Sequence, residues 1–299
     1  MNTQTKQGIL FAIGAYLMWG LAPIYFKQLA MVPAFEILTH RVVWSVVVLM
    51  LLVWAMKQST ALLETLKNPR RMLILLIAAV LLAINWLIYI WAVNQGRILE
   101  ASLGYYINPL INVLLGRVIL GEVLRPWQQA AVALVVIGVG ILVVGFGAFP
   151  WIAISLAFSF SIYGLLRKMV SVGPVAGLTI ETVMMLPVAL FYLLYFGSPH
   201  SNMLNNSVLM NALLVSAGLL TTVPLLFFNG AAKRLKYSTL GFLQYIGPSI
   251  MFAVAVLLYG EEFTLERAVI FMFVWAGVVL FTLDSFRAYR QQKRQHSAL

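Results

Sequence analysis

Tyr106-Ile107-Asn108-Pro109 is followed, after eleven mostly apolar residues, by Gly121-Glu122, and Tyr245-Ile246-Gly247-Pro248 is followed, after eleven more, by Gly260-Glu261. The two stretches lie 139 residues apart in a chain of 299, so one half reads as a diverged copy of the other. A proline inside an apolar segment of each half points to interrupted membrane helices. Duplicated membrane proteins of that kind place a substrate site where their repeats meet.

Composition supports the membrane reading. Hydrophobic residues make up 62% of the chain and charged residues 10%, outside the range of soluble domains. The absence of cysteine excludes disulfides, thiolate catalysis and cysteine-ligated metals. The net charge of +11 does not mark a nucleic-acid binder, because the basic residues sit between apolar runs and form no single amphipathic face. With about 20 apolar residues needed to cross a bilayer core, ten spans are predicted: 8–27, 34–56, 72–94, 98–119, 127–146, 150–167, 176–196, 208–229, 238–259 and 267–286. Arg97 and Glu100 crowd the start of the fourth. The run after Lys6 lacks a clear small-residue cleavage site and is read as the first span, not as a signal peptide.

Lysine and arginine orient the chain. With the N-terminus in the cytoplasm, 16 basic residues fall in cytoplasmic segments and 3 outside (Lys27, Arg97 and Arg267), while Arg41 lies within a span. Both termini are then cytoplasmic. Five spans per half make the second copy enter from the opposite face, giving inverted repeats. The expected division is 1–147, 148–290 and a basic cytoplasmic tail, 291–299. Further matches follow once small offsets are allowed: Leu103-Gly104 with Leu240-Gly241, Glu36 with Glu181, and Trp19-Gly20 with Tyr163-Gly164.

Pro109 and Pro248 are expected to break helices. Each removes an N–H and frees the carbonyl four residues earlier, at Tyr105 and Gln244, and such a carbonyl must face protein or a watery cavity. Tyr105, Asn108 and Asn112 share one helix face at i, i+3 and i+7, and Gln244 and Tyr245 flank the second break. Two readings stand: a polar cavity, or packing kinks without a ligand. A second polar group comprises Glu36, His40 and Arg41 in span 2, with Asn85, Trp86 and Tyr89 in span 3. Glu36 suits either a helix N-terminus or a functional role. Arg41 either snorkels outward or serves a cavity.

Other signals exclude functions. The glycines from Gly138 to Gly147 have no phosphate-binding lysine beside them, and no GxxxxGK[ST] occurs in the chain, so no ATPase activity or nucleotide cofactor is expected. The three histidines lack metal-ligand spacing. No convergent nucleophile, base or metal set marks an enzyme.

The stretches His40-Arg41-Val42-Val43-Trp44-Ser45, Leu82 through Asn94, and Ala101 through Leu110 resemble the RarD-type branch of the EamA drug/metabolite transporter superfamily, over nearly the whole chain. The resemblance implies a bacterial inner-membrane permease with a central cavity. The second half departs from the first in having no His-Arg pair after Glu181. The expectation is an all-α integral membrane protein of ten helices in two inverted five-helix repeats. It would act as a secondary transporter of a small organic molecule by alternating access, driven by a proton or the membrane potential, with a passive facilitator as the alternative. Trp19, Asn85, Trp86, Tyr89, Tyr105, Asn108, Asn112, Tyr163, Gln244 and Tyr245 would line the cavity. Glu36, His40, Arg41 and Glu181 would handle charge. Membrane lipids, the substrate and a coupling proton are the expected partners, without nucleic acid or an ATPase subunit.

Overall fold

The computed structural model describes residues 3–29, 31–94, 98–145, 149–199, 203–259 and 265–296, and no strand occurs among them. The helices are α1 (Thr3–Gln28), α2 (Ala34–Ala55), α3 (Ser59–Leu66), α4 (Pro69–Asn94), α5 (Ile98–Val118), α6 (Pro126–Gly145), α7 (Trp151–Met169), α8 (Pro174–Tyr195), α9 (Val208–Arg234), α10 (Tyr237–Gln244), α11 (Ile246–Tyr259) and α12 (Leu265–His296). Proline opens many of them. Pro69, Pro126 and Pro174 begin helices, and Pro33 and Pro150 immediately precede them. At the first turn a missing N–H is no loss and the fixed φ favours the helix. Side chains add caps: Ser207 Oγ accepts from the Met210 N–H at 3.2 Å, and Asn68 Oδ1 from the Arg71 N–H at 3.0 Å.

Among the described residues, nine stretches are long and apolar enough to cross a membrane, with α10 and α11 joined in one of them. The chain is an all-α integral membrane protein. Over the expected span 98–119 lies α5. The connection at 57–71 holds the short helix α3, whose Ala61 and Leu62 pack against a cluster of Leu75, Val170, Val172, Ala176 and Ile180.

Helix pairing follows an exchange pattern. α1 packs on α9 as α7 packs on α4; α1 packs on α11 as α7 packs on α5; α2 packs on α9 as α8 packs on α4. The remaining main pairs are α2 with α8, α5 with α10 and α6 with α12. In the last pair a Cβ on Gly138 would lie 2.9 Å from Phe273 Cβ, and one on Gly277 would lie 2.8 Å from the Ala131 carbonyl. Close approach of the two backbones there requires small residues.

Burial is inverted relative to a soluble protein. Leu257 is 85% exposed, Val144 81% and Trp54 79%, which places apolar side chains where lipid tails take the role of solvent. Buried polar groups lie inward: Asn108, Asn112, Asn229, Glu36, Glu181 and Arg167 are all nearly inaccessible.

Candidate functional site

A cavity of about 120 Å³ opens between helices of both halves. Its wall includes Trp19 from α1, Arg41 from α2, Asn85, Trp86 and Tyr89 from α4, Tyr105 and Asn108 from α5, Phe160 from α7, Thr221 from α9, Gln244 from α10, and Pro248 and Met251 from α11. Pro248 explains the local chain path. Without an N–H it cannot donate to the Gln244 carbonyl, and the helix stops there. Tyr245 bonds back to Phe242 O at 3.3 Å in a tight turn, and α11 begins at Ile246. α5, by contrast, runs through Pro109 without interruption.

Asn108 anchors that helix. Its Nδ2 donates to the Ala157 carbonyl and to Ser161 Oγ, both at 2.8 Å. Asn85 does the same from α4, reaching the Leu156 carbonyl and Ser159 Oγ, both at 2.9 Å. Two amides thus clamp α7 from neighbouring helices. Asn112 Nδ2 crosses to Gln244 Oε1 at 3.0 Å, tying α5 to α10. The backbones meet closely there, because a Cβ on Gly241 would lie 2.9 Å from the Pro109 carbonyl. Gly104, the matching residue of the first half, would carry its Cβ 3.0 Å from the Ala153 carbonyl.

Arg41 projects into this space. Its Nε donates to Thr221 Oγ1 at 2.8 Å, and its Cζ lies 4.6 Å from the Trp86 ring centroid and 5.4 Å from that of Phe26. Among the described residues of the cavity wall it is the one that is charged.

The other predicted residues lie apart from the cavity. Glu36 is buried where α2 begins, and its carboxylate accepts from the Ser198 N–H at 2.9 Å and Oγ at 3.1 Å. His40 is buried, with no hydrogen bond to Nε2 among the described residues. Glu181 faces Arg167 at 3.3 Å, both side chains fully buried. That contact is an ion pair without hydrogen-bond geometry, since Arg167 Nη1 and Glu181 Oε1 make no hydrogen bond to each other. Tyr163 lies in the same network, accepting from Asn229 Nδ2 at 3.0 Å. Tyr245 turns into a second apolar cluster, and its hydroxyl reaches the Tyr106 carbonyl. Asn112 and Pro109 stand behind the wall.

The comparisons with known proteins agree with this architecture. The model of the EamA-like transporter family matches residues 6–144. An uncharacterized transporter of Vibrio cholerae is 53% identical over 290 residues, covering 97% of this chain and 96% of that protein. The protein RarD of Salmonella typhimurium is 49% identical, covering 97% and 99%. The chain belongs to the RarD branch of the EamA-like transporter family. A solved crystal structure superposes with a TM-score of 0.70 over 92% of this chain and 97% of its own, at 21% identity, a likeness of fold alone.

For a RarD-type transporter, sequence reasoning left out several wall residues: Tyr16, Pro23, Phe26, Phe160, Thr221 and Met251. Pro23 sits inside α1, and intrahelical proline was a usable signal. Thr221 was not detectable, being 180 residues from its partner Arg41.

Proposed function

We propose that this protein is a secondary active transporter of the bacterial inner membrane. It moves a small organic molecule by alternating access, with a proton or the membrane potential as the driving force. The observation that carries the reading is the cavity between the halves, walled by aromatic rings, amides and one cation beside a proline-interrupted helix. Such a site near a repeat interface suits rocking of one half against the other. The exchange pattern of helix pairs supports inverted repeats, and the EamA model ending at residue 144 supports a division near 147. The sequence has no phosphate-binding motif, so energy would come from a gradient. Glu36, His40 and Glu181 lie outside the cavity and would carry a coupling proton, if one moves, at a distance from the substrate. Reconstitution into liposomes tests the reading: concentrative flux that collapses with the pH gradient or the potential supports it. Flux that only equilibrates identifies a passive facilitator, and no flux of any small metabolite overturns transport.

A further inference from the structure

We infer that the cavity receives a small planar organic anion, its carboxylate on the Arg41 guanidinium and its ring among the aromatic walls. This deepens the transport reading and rests on it.

The charge balance of the site carries the argument. Among the described residues, Arg41 is the single charged group of the wall, and no carboxylate lies within ion-pair distance of it. Four acids among the described residues are engaged elsewhere: Glu36 on Ser198, Glu181 on Arg167, Glu122 on the start of α10, and Asp284 on Arg125. The titratable groups that do face Arg41 are the hydroxyls of Tyr105, Tyr89 and Tyr25, which bring polarity and no negative charge. A cation inside a membrane protein is costly without a counter-charge, and here an arriving anion would supply it.

The donors are free to receive one. The one hydrogen bond from the guanidinium to a described residue uses Nε, directed at Thr221 Oγ1. The contacts with Trp86 and Phe26 use the ring faces and consume no N–H. Toward the described residues both terminal nitrogens therefore keep their donors for a bidentate acceptor, the geometry in which arginine recognises a carboxylate.

Size and shape narrow the class. An apolar cavity of roughly 150 Å³ accommodates benzene, and this one, at about 120 Å³, is of the same order, which limits the occupant to one ring and leaves its carboxylate at the Arg41 edge. Trp19, Trp86, Phe160 and the Tyr89–Tyr105 pair, with ring centroids 5.9 Å apart, offer flat faces to a single ring. At the offset that pairs Glu36 with Glu181, the position matching Arg41 is Leu186, so the cavity has one anion subsite and suits a monoanion.

Three isosteres test this on the purified full-length protein: benzoate, benzamide and benzylammonium at equal millimolar concentration, read by thermal unfolding. Benzoate is expected to raise Tm by about 2 °C or more through preferential binding to the folded state, with the amide and the ammonium giving less than half that shift. Arg41→Gln is expected to abolish the benzoate shift and Arg41→Lys to weaken it. An equal or larger shift from either analogue, a benzoate shift retained in Arg41→Gln, or no shift from any of the three overturns the inference. The wild-type comparison decides by itself if the variant fails to fold. Flux in liposomes separates the two claims: benzoate binding without flux leaves the anion site and removes transport, whereas flux without preference for the anion does the reverse.

Discussion

The Tyr245 hydroxyl donates to the Tyr106 carbonyl at 3.1 Å. These are the same residue of the repeated motif, 139 positions apart, meeting where α5 crosses the junction of α10 and α11. Tyr106 is next to the carbonyl that Pro109 deprives of its helical donor, and Tyr245 occupies the gap that Pro248 opens. The contact links the two proline sites directly. Tyr245→Phe keeps the ring in its apolar cluster and removes only this bond, so a loss of about 1 kcal/mol is expected. Thermal unfolding should register it as a lower Tm, and an unchanged Tm would mean the bond contributes nothing.

Glu122 holds the start of α10. Its carboxylate accepts from the Tyr237 N–H at 2.5 Å, the Ser238 N–H at 2.9 Å and the Ser238 hydroxyl at 2.7 Å, at the end of a helix where an anion is favoured. Glu122→Ala should destabilise by about 2 kcal/mol, with Glu122→Gln losing roughly half as much. Equal stability of all three proteins in thermal unfolding would remove the cap.

The Arg167–Glu181 pair is fully buried, so removing one partner strands the other. Glu181→Gln should destabilise by about 3 kcal/mol, and the paired change Arg167→Met with Glu181→Leu should recover most of it. A Cβ on Gly177 would overlap the Arg167 guanidinium, 2.6 Å from Cζ, so Gly177→Ala should displace the pair and reproduce much of the single-mutant loss. A double variant less stable than Glu181→Gln would show that the charges do more than neutralise each other.

The basic-residue distribution predicts topology. Reporter fusions after Asn202 and at Leu299 should report opposite compartments, external and cytoplasmic. The same compartment for both would remove the ten-span arrangement.

The long apolar runs made most helices legible, because the bilayer demands length and hydropathy that no soluble element imitates. The eight residues of α3 were hidden, since a short helix between spans carries too few apolar residues to stand out. The two prolines read alike in sequence but act differently. Pro248 follows Gly247, which has no side chain to hold the helix, and the chain breaks. Pro109 follows Asn108, whose amide is anchored on α7, and the helix continues. Nine of the predicted polar, aromatic and proline positions converge on the cavity wall. Glu36 does not, because its partner Ser198 lies 162 residues away, and Glu181 and Tyr163 do not, because they turn to each other, Arg167 and Asn229.

That the cavity between the halves is open to a polar solute is tested most directly by cysteine accessibility, for which this cysteine-free chain is suited. Gly247 has room for a side chain, its Cβ meeting nothing nearer than the Tyr16 carbonyl at 3.7 Å. In native membranes, Gly247→Cys and Met251→Cys should react with a small polar thiol reagent as Ser59→Cys does at the exposed start of α3, while Leu257→Cys on the outer apolar face should stay unlabelled. If both cavity positions remain as inert as Leu257→Cys, the cavity is not a solute path.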